Sequence, residues 1–420
     1  MSTVPPPSSR PTRTVLGFPW PERVTPAERH SLVAGGLGWM LDAMDMMLYS
    51  MVLAHLMRDL GMTKPTAGLL NSLTLVASAV GGALFGFLAD RVGRTRSLML
   101  SILVYSLASG GCGLSDSVLQ LGVFRFVLGL GMGGEWSTGA ALIAETWPAE
   151  HRGKALGLMQ STWAIGEMLA AVVAGLVIPR AGWRAVFFVG ILPALLVLWI
   201  RRSVPESSVW LERGQGQRRS LWTLLRRDVR WNGILATAMN AAGMFGYWGL
   251  FTWIPTYLSL PVEQGGRGLD IVATTTWLVV MGVGKWLGYA LFGFAADAVG
   301  RRRTYVTYLL MAAFLVPLYG MATTPLWLLV LGPFVAFFGT GFFSGFSALA
   351  AELFPTEIRA TAMGLSYNLG RGVSALAPFV VGHLANRYGL GSAFFLQAAA
   401  FFVAALLAMA LPESRGRELT

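Results

Sequence analysis

Residues 86–96 read GFLADRVGRTR and residues 293–303 read GFAADAVGRRR, so Asp90 and Asp297 stand 207 positions apart (297 − 90). The same offset relates ETWPAEHRGKALG, starting at Glu145, to ELFPTEIRATAMG, starting at Glu352, and the PES triplet at Pro205 to the one at Pro412. An offset kept through three motif pairs leaves no room for a loop insertion between them. One half-chain has been duplicated, and the two halves are expected to share a fold.

Composition decides the solvent. The chain is 55% hydrophobic and only 13% charged, where a soluble domain carries about 25% charged residues. Apolar stretches near the roughly 20 residues needed to cross a bilayer recur along it. Twelve are predicted, six per half, centred near Ala43, Ala77, Leu107, Gly131, Ile165, Pro193, Gly243, Gly284, Met311, Phe337, Leu369 and Phe402. The expected fold is an all-α membrane protein of twelve transmembrane helices in two six-helix bundles, 31–202 and 231–411. A cytoplasmic linker at 203–230, a disordered tail at 1–30 and a short tail at 412–420 complete the division. Internal repeats in an apolar chain are the signature of a two-bundle transporter that binds its ligand between the halves.

Charge predicts the orientation. An even number of crossings puts both termini on one side, and most of the 32 Lys and Arg residues fall in loops on that side, so the termini are expected in the cytoplasm of a cell with the protein in its plasma membrane. Spread over short loops, the net charge of +11 is a topology signal rather than a nucleic-acid footprint. The opening MSTVPPPSSRP lacks the apolar core of a secretion signal. Cys112 is the one cysteine and lies within the third stretch, which excludes an internal disulfide and a cysteine metal site. His30, His55, His151 and His383 form no ligand-like cluster, and no Ser/His/Asp set or phosphate loop is visible. Neither a cofactor nor an enzyme activity is expected.

At its loop motifs the chain resembles the major facilitator superfamily, over nearly all of residues 31–411. In that family the Asp corresponding to Asp90, with the Arg corresponding to Arg94, latches one bundle to the other on the cytoplasmic side. The second copy has Asp297 and Arg301, but Ala298 stands where the first has Arg91. RFVLGLGMGGEW, from Arg125, resembles the family's Arg-containing motif associated with proton coupling; helix packing alone is the competing reading for its glycines. The PES copies look like those of the sugar porters and the related metabolite:proton symporters. The resemblance implies that Glu206 and Glu413, with Glu145, Arg152, Glu352 and Arg359, form ion-pair networks that break and reform as the halves rock. The fifth stretch lacks the Gly-Pro-rich signature of the drug/proton antiporters, which favours uptake over export.

Substrate chemistry rests on charges inside the spans, each of which costs about 2.5–3.5 kcal/mol to insert unless paired or wet. Asp42 and Asp45 are three residues apart and share a helix face roughly 16–21 Å in, at about 1.5 Å per residue. Two carboxylates that close in a low dielectric do not both ionise easily. Glu135 and Glu167 add acids to the same half. Lys285 lies twelve residues before Asp297 and Arg371 twelve after Arg359, which puts a cation at mid-depth in each of two spans of the other half. Acids on one side and cations on the other suit a proton and an organic anion. Internal ion pairing of Arg371 or Lys285 is the competing reading. Asn240, Tyr247, Trp248, Tyr367 and Asn368 lie in spans that line the cavity in the superfamily, and packing is the alternative for each.

The reading is a proton-coupled symporter of a small organic anion, such as an aromatic or short-chain carboxylate or sialic acid, working as a monomer by alternating access. LDAMD in the first span resembles the paired Asp of the aromatic-acid group. Arg371 is expected to hold the carboxylate and Lys285 to add charge, with Asp42, Asp45, Arg125, Glu135 and Glu167 in proton coupling. Sugar or polyol symport is the alternative suggested by the PES motifs; export, or a non-transporting membrane sensor, is a more distant one.

Overall fold

In hydrocarbon every backbone N–H and C=O must be satisfied within the protein, which leaves helices as the way this chain can cross. The computed structural model describes residues 12–15, 18–21, 24–207, 210–211, 227–353 and 359–413. The first half forms α1 (Pro26–Asp59), α2 (Lys64–Val92), α3 (Arg94–Gly113), α4 (Val118–Thr146), α5 (Ala149–Val189) and α6 (Pro193–Ser203). The second forms α7 (Arg227–Phe251), α8 (Ile254–Ser259), α9 (Ile271–Val299), α10 (Arg301–Met321), α11 (Pro325–Leu353), α12 (Arg359–Ser374), α13 (Leu376–Tyr388) and α14 (Leu390–Ala410).

These helices make twelve crossings in two bundles of six. Gly182, at φ 75° and ψ 178°, breaks α5, so its last turns and α6 together make the sixth crossing. The pairs α7/α8 and α12/α13 are the interrupted seventh and eleventh. Eight helical stretches are apolar and long enough to span a membrane by composition, one of them the 50-residue stretch Lys154–Ser203 that crosses twice. The crossings that miss this standard, the third, seventh and eleventh, carry Ser, Asn, Gly and, in the eleventh, Arg371.

The duplication is legible in the backbone. The ends of α9 lie 207 residues beyond those of α2, and the ends of α11 lie 207 beyond those of α4. Gly93 (φ 109°, ψ 157°) and Gly300 (φ 113°, ψ 149°) make the same turn between consecutive crossings, in a region open essentially to glycine alone. Neither glycine has a capping side chain. The PES glutamates take over: a carboxylate oxygen of Glu206 accepts from the Arg94 and Thr95 N–H groups at 2.8 and 3.1 Å, and one of Glu413 accepts from Arg301 N–H at 2.8 Å. An acid at a helix N-terminus satisfies orphan donors and complements the dipole.

Close packing repeats as well. A Cβ at Gly81 would stand 2.1 Å from the Leu130 carbonyl oxygen, and one at Gly288 2.4 Å from that of Phe337, so α2 meets α4 as α9 meets α11. Near the N-terminus the expected disordered tail instead contains a short antiparallel hairpin, Thr12–Val15 with Phe18–Pro21, and α1 starts at Pro26 behind a Thr25–Glu28 capping box.

The face that carries the two termini is here the terminal face, and the opposite one the far face. On the far face the bundles are sealed. Asn71 donates to Thr252 at 2.9 Å, Phe379 N–H donates to Ser72 at 3.2 Å, and Lys64 reaches the Gln264 carbonyl at 3.0 Å. A Cβ at Gly68 would stand 2.2 Å from the Pro378 carbonyl oxygen, so α2 and α13 touch backbone to backbone. A second seam joins α5 to α9, where Thr275 donates to the Ala171 carbonyl at 3.3 Å.

Candidate functional site: a central cavity between the bundles

A cavity of about 290 Å³ lies at mid-depth between the halves, lined by Trp39, Gln160 and Trp163 from the first bundle and Tyr247, Trp248, Tyr289, Phe343, Tyr367 and Arg371 from the second. Its walls are aromatic: Trp39 and Trp163 approach to 4.5 Å between ring centroids, and Tyr247 packs at 5.0 Å against both Trp248 and Phe343. Such walls suit a small ligand with a flat apolar body and one charged end.

Arg371 supplies the charge. It sits in the last turn of α12, where the helix ends and cations are favoured, and the interruption before α13 is next to it. Interrupted spans at the midplane are a recurring way to build transporter sites. Arg371 is 3% exposed, its Nε lacks a hydrogen-bond partner, and it makes no ion pair with any acid among the described residues. A buried guanidinium at a cavity wall, without an acid partner among the described residues, is chemically able to take a bidentate carboxylate.

Lys285 is arranged differently. Its Nζ is ion-paired with Glu167 across the bundle interface, with both side chains buried. Tyr247 donates to Glu167 at 2.5 Å and Trp163 at 2.9 Å. The ammonium lies 3.6 Å over the Phe251 ring. Of the two expected cations at mid-depth, Lys285 is thus neutralised internally, and Glu167 is removed from the free acids. Breaking a buried pair of this kind by deleting one partner costs about 3–5 kcal/mol.

The first bundle keeps a separate set of buried acids. Asp42 and Glu135 are fully buried with both carboxyl oxygens unpartnered, and the charges acting most on Asp42 are Arg371 and Asp45. Asp45 accepts from Ser109 at 2.5 Å and leaves its other oxygen bare. Arg125 is buried beside them, 4.2 Å over the Tyr49 ring, and donates to Asn71 at 2.8 Å. Because Asn71 also donates to Thr252, a continuous polar chain runs from Arg125 to the far-face seam.

The other expected contacts divide. Tyr247, Trp248 and Tyr367 line the cavity. Asn240 packs under Gly370 with its Oδ1 unpartnered and does not line it, and Asn368 lies against Gly82 rather than on the wall. The sequence reading missed Trp39, Gln160, Trp163, Tyr289 and Phe343, whose aromatic or amide character had no spacing to mark it. It also passed over Trp136, the last residue of the RFVLGLGMGGEW motif, which stacks on Tyr367 across the interface at 4.6 Å and 10°.

Among the described residues, the terminal-face ion pairs lie within the first bundle. Arg94 bridges Asp90 at 2.5 Å and Glu145 at 3.1 Å, and the expected cross-bundle latch at Asp90 is not formed: between described residues, no hydrogen bond or ion pair joins the bundles on the terminal side of the Trp136–Tyr367 stack. Glu206 and Glu413 cap the helices that follow Gly93 and Gly300. The side chains of Arg152, Asp297, Glu352 and Arg359 lie outside the described residues.

The comparisons with known proteins agree with this architecture. The family model of the Major Facilitator Superfamily matches residues 36–273 and 261–419. The chain is 36% identical over 414 residues to a probable 4-methylmuconolactone transporter of Cupriavidus pinatubonensis, covering 95% of this chain and 94% of that one. It is 34% identical over 384 residues to a cis,cis-muconate transport protein of Acinetobacter baylyi, covering 88% and 91%. Its fold matches a D-xylose-proton symporter with a TM-score of 0.75 at 20% identity, over 94% of this chain and 100% of that one. With two duplicated six-helix bundles, a cavity between them and matches that run its whole length, the chain belongs to the Major Facilitator Superfamily and is a multi-pass membrane transporter, not an enzyme.

Proposed function

We propose that the protein takes up a small organic anion together with a proton, with its terminal face in the cytoplasm. The observation that carries this reading is Arg371, a buried cation without an acid partner among the described residues, set in an aromatic cavity of about 290 Å³. The carboxylate docks on the guanidinium fork and the apolar body lies among Trp39, Trp163, Trp248 and Phe343. Relatives named as transporters of muconate and of 4-methylmuconolactone support an organic-acid substrate.

The proton belongs to the acids of the first bundle. With Asp42 and Glu135 unpartnered and Asp45 half-partnered, a negative charge there is poorly solvated, so these groups hold a proton when the cavity is sealed and release it when water enters. Asp42 also feels Arg371. A substrate anion that neutralises Arg371 removes the positive field that favours ionised Asp42, which makes anion binding and proton binding mutually supportive. The Arg125–Asn71–Thr252 chain then links the charge state of this region to the far-face seal.

Proteoliposomes with an imposed pH gradient test the reading: aromatic and unsaturated carboxylates should accumulate, and collapse of the gradient should abolish accumulation while leaving exchange. Accumulation of neutral sugars with no carboxylate transport would reject it.

A further inference from the structure

The Glu167–Lys285 pair is not used by the reading above, yet it occupies the most strategic position in the molecule. It stands between two cavities. On its terminal side Tyr247, which donates to Glu167, walls the central cavity; on its far side a second cavity of about 340 Å³ ends on Glu167 and Lys285 themselves. That second cavity is otherwise apolar, lined by Met47, Met51, Phe251, Ile254, Leu278 and Met281. The pair also marks the inner end of the α5–α9 seam, whose further contacts, Met168 against Gly282 and Ala171 with Thr275, continue towards the far face.

Alternating access requires this seam to part when the far face opens. Parting it separates a buried ammonium from a buried carboxylate, and among the described residues neither has another partner of opposite charge: the groups around Glu167 are Lys285 and Tyr289 from α9, Tyr247 from α7 and Trp163 from its own helix. A proton and an organic anion are the two species that satisfy both halves at once. A carboxylate replaces Glu167 on Lys285, and a proton neutralises Glu167, leaving its hydroxyl free to donate. On closure the carboxylate passes from Lys285 to Arg371, Glu167 gives up its proton by way of water in the cavity to the first-bundle carboxylates Asp42 and Glu135, and the ion pair returns.

We propose that the Glu167–Lys285 pair is a second, outward-side site that opens when a carboxylate and a proton occupy it together, and that Lys285 binds the transported anion there before Arg371 does. The proposal rests on the anion–proton symport reading. It adds to that reading a coincidence check: either species alone leaves one charge bare. The apolar lining of the second cavity makes the fitting anion a monocarboxylate with an apolar body.

Labelling from outside the cell tests it. Met281, 3% exposed and on the wall of the second cavity, is replaced by Cys in a Cys112→Ala background, and its reaction with a membrane-impermeant maleimide is followed on intact cells with benzoate as the probe anion. In this parent, with each rate divided by that of free cysteine at the same pH to remove the change in thiolate fraction, low pH and benzoate together should speed labelling several-fold, and either alone only slightly. Glu167→Gln should respond to benzoate without low pH, and Lys285→Gln to low pH without benzoate. The double variant Glu167→Gln/Lys285→Gln should label several-fold faster than the parent at pH 8 with no anion. The exchanged pair Glu167→Lys/Lys285→Glu restores the ion pair and should label at the parental rate, which separates charge from packing and folding. A double variant no faster than the parent at pH 8, or an exchanged pair as fast as the double variant, would overturn the proposal. If the symport reading itself is wrong, benzoate has no effect in any variant, while the charge comparison at pH 8 still decides the role of the pair.

Discussion

The two bundles share a backbone and divide the chemistry. At the 207-residue offset, Asp42 corresponds to Gly249, Asp45 to Thr252, Arg125 to Gly332 and Glu135 to Phe342. In the other direction, Lys285 corresponds to Ser78 and Arg371 to Ala164. Every charge buried at mid-depth faces a neutral residue at the equivalent place in the other half. Turns, caps and close helix contacts, in contrast, are kept: Gly93 with Gly300, Glu206 with Glu413, Gly81 with Gly288. On the proposed reading, the symmetric parts form the frame that rocks and the asymmetric charges handle the substrate and the proton. A charge pair repeated in both halves would put like charges opposite each other across the cavity.

The largest effect should come from the asymmetric side. Arg371→Ala removes the fork and should lower carboxylate affinity roughly 100-fold or more, as expected for losing about 3 kcal/mol of charge-assisted hydrogen bonding. Arg371→Lys should recover part of it, because an ammonium keeps the charge but not the planar geometry. Equilibrium binding to purified protein measures both. Unchanged affinity in both variants would make Arg371 a packing residue and dissolve the contrast between the halves.

Next come the acids of the first bundle. Asp42→Asn or Asp45→Asn fixes a neutral, proton-loaded form, so at least one of them should lose accumulation driven by a pH gradient yet keep substrate exchange in proteoliposomes. Placing an acid at the equivalent site of the second bundle, Gly249→Asp, should not restore accumulation, since Gln397 rather than a polar cavity occupies that position. Wild-type accumulation in both Asn variants would move the proton to Glu135 or Glu167.

The symmetric side predicts matched effects. Gly81→Val and Gly288→Val each force a branched side chain against a carbonyl, and each should destabilise by about 1–3 kcal/mol or more, seen as similar falls in melting temperature. Smaller still is the loss of a cap: Glu206→Gln should cost about 0.3–1 kcal/mol, and Glu413→Gln less, because Glu413 is more exposed. Strongly unequal effects within the glycine pair would show that the frame is less symmetric than its backbone.

The frame was legible in the sequence because duplication leaves a fixed offset and because a membrane span needs a long apolar run. Asp42, Asp45, Arg125, Glu135, Lys285 and Arg371 were legible for the opposite reason: a charge in such a run is conspicuous. The pairing of Lys285 with Glu167 was not, since it joins residues 118 positions apart on different bundles and depends on how those bundles meet. Nor were the aromatic walls. In a chain with 15 Trp and 24 Phe, nothing in the spacing separates Trp39 and Phe343, which face the cavity, from rings buried in a bundle core. Pro255 and Pro378, just inside α8 and α13, are the signals that mark the interrupted crossings beside the site. The state of the Asp90 latch was not legible either, because a loop motif shows which charges are available but not whether the terminal-face ends of the bundles are together, and here Asp90 pairs with Arg94 of its own bundle.

The central claim is that a carboxylate is recognised by Arg371 and not by a neutral, sugar-type site. Thermal stabilisation of the purified protein by benzoate, benzamide, sialic acid and xylose, compared between the wild type and Arg371→Gln, tests it most directly. The account predicts a rise in melting temperature with at least one of the carboxylates, little with its neutral counterpart, and loss of that rise in Arg371→Gln. Stabilisation by xylose alone, or by benzamide as strongly as by benzoate in both proteins, would contradict it.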